Sequence, residues 1–339
     1  MSKTKILKWA GIPLVLLFAT LIVIINVRSE KERSTTINNS HYGSLTTIEL
    51  LPDETGFVSA AFDYKIKFWD LEQQKHLKTI DSQVRVIEDF AQLKKANTII
   101  GVASEGTFYF MDINELEIKN TLDPLYYPIE EIIVSGDESY LAARTAEVVI
   151  IFELLNDMNL SDPVFLDDVR HQRVQNFAFR DDQLISIGSE GNLFFWDYKL
   201  AELVSQLNLN QGIQHSEISE DGSRLILSYP EPSANNFSTI EQWDLSNASF
   251  DKTIGSCEGN VLDMLLIDKK DSLVVSCSDS PLSIFNLSGD VSERNVWDER
   301  KPGIRDLSYS ETRDALIYRY DDNIDVIWDF SSAHLQKLL

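Results

Sequence analysis

The sequence predicts an all-β fold: a seven-bladed β-propeller of four-stranded antiparallel blades, preceded by one transmembrane helix. Three observations carry this. A short strand-like motif recurs seven times at a near-constant spacing. Each recurrence sits in the same order of apolar runs and turn residues. An uncharged run of 19 residues stands near the N-terminus, ahead of all seven.

Residues 1–8 form a short tail. Residues 9–27 (WAGIPLVLLFATLIVIINV) contain no charge and are long enough to cross about 30 Å of hydrocarbon as a helix. Pro13 lies near the start, where a missing N–H costs least. A cleaved signal peptide would carry an apolar region of about 7–15 residues and then small residues. Here the run is longer, no Ala-x-Ala follows, and no Cys follows to carry a lipid. The expectation is an uncleaved signal anchor in a single-pass membrane protein. Three Lys/Arg flank it on each side, and the N-terminal amine tips the balance toward a cytoplasmic N-terminus. The body is then expected outside the cytoplasm, periplasmic or lumenal. Residues 28–44 are polar and read as a linker, with one possible strand at 34–38.

The motif reads KIKFWDL at 65–71, TFYFMDI at 107–113, VVIIFEL at 148–154 and NLFFWDY at 192–198. It continues as TIEQWDL at 239–245, LSIFNLS at 282–288 and IDVIWDF at 324–330. Its large residue falls at Trp69, Met111, Phe152, Trp196, Trp243, Phe285 and Trp328, with gaps of 42, 41, 44, 47, 42 and 43. An internal period of this length signals a repeat architecture. An apolar run such as LTTIELL or VLDMLLI opens each unit. A turn (PDETG, SEDGS, SETRD) leads to a second strand, then to the marker strand, and several units close with a fourth run. Four short strands per unit, with hairpin signals between them, make one propeller blade. The propeller is expected over residues 45–339. Ring closure needs one extra outer strand, which 34–38 or 334–339 would supply.

These repeats resemble the WD-repeat β-propeller family. Trp-Asp stands at 69–70, 196–197, 243–244 and 328–329. An acid six positions earlier, at the family's tight turn, occurs as Asp63, Glu105, Glu190, Asp279 and Asp322. Three blades carry Met-Asp, Phe-Glu or Phe-Asn instead, and His41 is the one remnant of the family's Gly-His pairs. The buried Asp–His–Ser–Trp network common in that family is therefore not expected to brace these blades, and stability is expected to rest on apolar packing between neighbours.

Charge narrows function. The chain carries −24 overall. Residues 1–33 hold six Lys/Arg and two acids, so the body holds 24 bases against 52 acids, a net of −28. Such a body repels phosphate backbones, which excludes nucleic-acid partners. The five histidines (His41, His76, His171, His215, His334) form no metal-ligand pattern, and no phosphate loop or nucleophile elbow is present. No cofactor, metal or small-molecule substrate is expected. Asp-Asp at 167–168, 181–182 and 321–322 and Asp-Gly at 221–222 read as turns. Cys257 and Cys277 are placed in one blade and read as two buried thiols, with a disulfide the alternative in an oxidising compartment.

The family resemblance places the loops that enter each inner strand, and those before each marker strand, on one face of the disc. That face would gather Tyr126, Tyr127, Arg170, His171, Arg173, Trp297, Arg300, Lys301 and Arg305, with Arg144, Arg319 and the loop 230–236 nearby. Aromatics with Arg are the residues in which interface centres are enriched. The function expected is a membrane-tethered protein–protein interaction scaffold, not an enzyme. The alternative is a propeller hydrolase, lyase or dehydrogenase with a central-channel site, drawing on Glu131, His215, Asp263 and Asp306.

Overall fold

In a computed structural model the chain is an all-β ring of seven sheets. Described are residues 34–37, 41–83, 85–167, 173–209, 211–230, 236–247, 249–288, 292–295, 304–320 and 323–327. The expected membrane segment, 9–27, lies outside these residues. Among the described residues no helix is long and apolar enough to cross a membrane.

Each of the first six blades is a run of consecutive antiparallel strands. The blade 1 strands are Leu45–Leu50, Gly56–Ala61, Lys65–Asp70 and Lys75–Asp81, running from the channel to the rim. The markers fall in register. Trp69, Met111, Phe152, Trp196, Trp243 and Phe285 pair with Phe57, Ile99, Leu141, Leu184, Leu225 and Leu273 of their second strands. Blade 3 has a split outer strand, Asn159–Leu160 and Val164–Leu166, both paired with Val149–Leu155.

The core explains why the second and third strands read as continuous apolar runs. Gly56–Ala61 is buried at every position. Its residues alternate between two seams: Phe57 and Ala61 pack with blade 7, Val58 and Ala60 with blade 2. A strand covered on both faces has no solvent side and shows no polar alternation. Outer strands do show it, with Glu117–Leu122 alternating exposed and half-buried.

Blade 7 (Arg305–Ser310, Ala315–Tyr320, Asn323–Ile327) takes its outer strand from the other end of the chain. Ser34–Ile37 pairs antiparallel with Asn323–Ile327, Ser34 opposite Ile327 and Ile37 opposite Ile324. Of the two closing segments the sequence allowed, the N-terminal one pairs; 334–339 lies outside the described residues. Ile37 is buried with Leu45, Phe57, Trp69, Ile317 and Ile324, so closure is apolar as well as hydrogen-bonded.

Two expectations are corrected. The polar network does form, in blade 1. His41 Nδ1 bonds the Asp63 carboxylate at 2.9 Å, its Nε2 meets Ser59 Oγ at 3.0 Å, and Trp69 Nε1 donates to Ser59 Oγ at 2.8 Å. His41 lacks the preceding Gly of the family pair, yet it still reaches Ser59 of the second strand. Burial holds His41 below the usual imidazole range. For Asp63 burial works the other way, but the Tyr42 N–H and His41 hold it below the carboxylate range. In blade 4, Trp196 Nε1 donates to Ser186 Oγ at 2.9 Å in the same way.

The second correction concerns the cysteines. Cys257 and Cys277 are bonded, and they belong to different blades. Cys257 lies on the outer strand of blade 5, Ser249–Glu258, which runs on to Gly259 and the inner strand of blade 6. Cys277 ends the second strand of blade 6. The outer strand of blade 5 is ten residues long, and that length was hidden by counting Cys257 with the unit that follows it.

Candidate functional site

Strand register fixes which loops share a face. In blade 3, Glu131 pairs with Arg144, Arg144 with Val149, and Val149 with Leu166. The segments 123–130 and 145–148, with Asp167 beyond the outer strand, therefore lie at one end of the sheet, the loop face. The hairpins between first and second and between third and fourth strands make the opposite, turn face.

The loop before blade 3 is held by its backbone. Tyr126 N–H donates to Glu105 O at 3.0 Å, Ile129 N–H to Tyr127 O at 2.9 Å, and Glu130 N–H to Arg144 O at 2.8 Å. Tyr126 adopts φ 62°, a left-handed turn that swings its side chain out to 84 % exposure. Tyr127, 43 % exposed, leans on Phe165 of the outer strand with ring centroids 5.3 Å apart. Beside this ring pair lies a groove of about 420 Å³ lined by Tyr127, Pro128, Glu147, Val148, Phe165 and Asp167.

Of the other predicted residues, Arg173 is exposed at the start of blade 4 and Arg305 is exposed at the start of the inner strand of blade 7. Arg170, His171, Trp297, Arg300 and Lys301 lie outside the described residues, as does 231–235 of the loop at 230–236. Arg144 and Arg319 are engaged within the ring. Arg144 bonds Glu131 at 2.9 Å, Glu130 at 2.6 Å and the Val174 carbonyl of the next blade at 3.0 Å. Arg319 pairs with Asp306 at 2.7 Å and donates to the Leu45 carbonyl of blade 1. Phe165 is the residue that sequence reasoning missed, because DPVFLDD carries no alternation to mark a strand.

The channel differs from expectation. Every inner strand except that of blade 4 contributes a carboxylate: Glu49, Asp89, Glu131, Glu217, Asp263 and Asp306. Blade 4 offers Asn176. Several brace the next blade. Asp89 accepts from Ile132 N–H at 2.8 Å, Asp263 from Leu307 N–H at 2.9 Å, and Asn176 donates to the Ser216 carbonyl. Burial raises three of the acids, Glu49 to about 7 and Asp263 and Asp306 to about 6. For Glu217, burial and then the charges of Asp263 and Glu131 push well above the carboxylate range. Blades 5 and 3 are not adjacent, so Glu217 and Glu131 feel each other across the axis. Burial lowers His215, whose Nε2 stands 3.6 Å from Asp263. Among the described residues no three His, Cys, Asp or Glu side chains gather into a metal-binding group.

The chain matches no family model and no curated protein sequence. Among solved structures it is similar to the β-propeller domain of Cps50 (Swd1) from Myceliophteria thermophila. The TM-score is 0.67 and the identity 12 %, covering 86 % of this chain and 98 % of that one. At that identity the likeness speaks to fold, and it supports a WD-repeat-like propeller.

Proposed function

We propose that this chain is a membrane-tethered scaffold that binds a protein partner through the loop face at blade 3. One observation carries the reading. Tyr127 and Phe165 stand partly exposed in the lining of a groove that also holds Glu147 and Asp167, beside the fully projecting Tyr126. The acids favour an extended partner segment that sets an apolar side chain in the groove and a basic one beside it. The basic loops predicted from sequence, at Arg170–Arg173 and Arg300–Arg305, would meet a separate, acidic part of the same partner. Residues 9–27 supply the tether. The bonded Cys257–Cys277 pair supports an oxidising compartment for the body, because structural disulfides persist there and are rare in the cytosol.

The test is crosslinking in native membranes followed by affinity capture of the full chain. Tyr127→Ala and Phe165→Ala should fold normally, and each should cost about 2 kcal/mol of binding or more, as desolvated aromatic anchors do. Asp181→Lys on the turn face should leave the same partner bound. Loss of the partner in the Asp181 variant with retention in the two aromatic variants would move the site to the other side of the disc.

A further inference from the structure

The strand that closes the ring also fixes which way the ring points. Ser34 lies opposite Ile327, at the end of blade 7 where Ser310 and Ala315 flank the 311–314 turn. That end belongs to the turn face. Ile37 lies opposite Ile324, which pairs with Arg319, itself opposite Arg305. That end belongs to the loop face. The chain therefore comes into the disc from the turn face and climbs the rim as the outer strand of blade 7, and the inner strand of blade 1 starts at the loop face, where Leu45 lies opposite Ala61.

The apolar run ends at Val27, so seven Cα steps separate it from Ser34. Fully extended they reach about 25 Å, and the headgroup layer takes roughly 6 Å of that. A six-residue strand spans about 20 Å, and the loops add to the thickness of the disc on both sides. With the loop face on the bilayer, the linker would have to run the whole height of the rim and through the headgroups as well. It is too short. With the turn face toward the bilayer the same six linker residues suffice.

We infer that the tether holds the propeller with its turn face to the membrane and its loop face, with the groove at Tyr127, directed away from it; this rests on residues 9–27 being a membrane anchor. The partner then docks from the aqueous side, at roughly 20–45 Å above the headgroups given the strand and linker lengths. A soluble protein, or one whose own extramembrane part rises that far, fits this position. A juxtamembrane segment of a neighbouring membrane protein does not.

The test uses the full chain in neutral phosphatidylcholine vesicles with an energy acceptor on the lipid headgroups. A donor dye goes on one added thiol, at Gln73→Cys in the blade 1 turn or at Gly212→Cys in the loop before blade 5. Gln73 is exposed, and a Cβ at Gly212 meets only the Ser189 carbonyl oxygen, at 3.8 Å. Cys257 and Cys277 are bonded and buried, so they do not compete for the dye. The expected result is at least twofold greater transfer from position 73 than from position 212. Inserting about 20 Gly/Ser residues between Arg33 and Ser34 should erase the difference, because a flexible linker of that length reaches past the rim. Equal transfer, or greater transfer from position 212, in protein that floats with the vesicles would overturn the orientation while leaving the anchor standing. Protein that neither floats nor transfers at either position would overturn the anchor, and the orientation with it.

Discussion

Two seams of the ring solve the same joining problem by different means. Blades 5 and 6 follow one another in sequence, and the short segment 258–260 already links them. There the chain adds a covalent bond, Cys257–Cys277, within a cluster that includes Ile240, Val261, Met264 and Phe285. Gly255 leaves room for the Phe285 ring, which a Cβ would meet at 2.7 Å, and Gly259 turns the chain with φ 89°. On the turn face Arg224 reaches across to Asp268 at 2.7 Å and to Asp271. Blades 7 and 1 stand at opposite ends of the sequence. Their seam relies on the four-residue strand Ser34–Ile37 and a shared apolar cluster. Glu54 accepts from Ser310 at 2.6 Å and from Thr312 at 2.8 Å, and His41 ties down the crossing into blade 1. The closing strand is continuous with blade 1 through residues 38–44. Opening the ring thus requires stripping a strand from a sheet rather than parting two surfaces. The difference teaches where each seam is vulnerable: the first to reduction, the second to loss of a short apolar strand.

The largest expected effect is at the 7/1 seam. Ile37→Ala should cost about 2–5 kcal/mol, as deletion of a buried aliphatic side chain in a packed cluster does. Removing 34–37 altogether should abolish the cooperative melt seen by circular dichroism, because the buried edge of Asn323–Ile327 would then lose its partner. A melt unchanged by that deletion would assign closure to another segment.

At the 5/6 seam, reduction or the Cys257→Ala/Cys277→Ala pair should cost about 3 kcal/mol, the loop-closure value for a separation near 20 residues. Alanine keeps an apolar side chain in the cluster, so the fold should survive with a lower melting temperature. The contrast with Ile37 is the point: a covalent staple between blades already linked by peptide should matter less to folding than a strand that nothing else replaces.

Acidity acts on both seams through the channel. Glu49 in blade 1 and Asp263 and Asp306 in blades 6 and 7 have folded values raised above their unfolded ones. The folded state then binds more protons than the unfolded chain between about pH 4 and 7, so stability falls as pH rises through that window. The expected gain on moving from pH 7.5 to 5 is about 2 kcal/mol, after discounting for water in the channel. Glu49→Gln should flatten the profile. Stability that instead rises from pH 5 to 7.5 would mean these acids are ionised without penalty.

Much of this architecture is legible in the sequence, and the failures have physical causes. The six described marker residues show because each fills the same place between two blades, so Trp, Met and Phe are selected at a fixed period. The closing strand is visible as a polar β-branched stretch, Ser34–Ile37, though its partner is not. Of the channel acids, Glu131, Asp263 and Asp306 are legible as inner-strand positions, while Glu49, Asp89 and Glu217 stay hidden because an acid facing the axis looks like one facing solvent, as Glu49 does within LTTIELL. Tyr126 and Tyr127 stand out as adjacent aromatics beside a Pro, while Phe165 is assigned by nothing local and joins them only through the split outer strand. The disulfide is missed because pairing depends on which blade owns Cys257, and strand length, not spacing, decides that.

The smallest expected effect lies in the His41 network. His41→Ala removes the partner of both Ser59 and Asp63 at the crossing that leads from the closing strand into blade 1. Asp63 keeps its bond from Tyr42 N–H at 3.0 Å, and Ser59 keeps Trp69, so neither is left bare. The loss should be about 1–2 kcal/mol, the scale of a side-chain hydrogen bond with part of its neighbours still satisfied. The pH dependence separates this from simple loss of packing. Burial lowers the folded value of His41, so below about pH 6.5 the unfolded chain takes up a proton that the folded one resists, and stability falls on that account as pH drops. This opposes the gain from the channel acids. Removing His41 removes the opposition, so the variant should gain more than the parent between pH 7 and 5 although it is less stable at both. A variant that gains less than the parent on acidification would mean that His41 is a cation paired with Asp63 in the folded ring, and the seam would then rest on an ion pair rather than on a neutral bond.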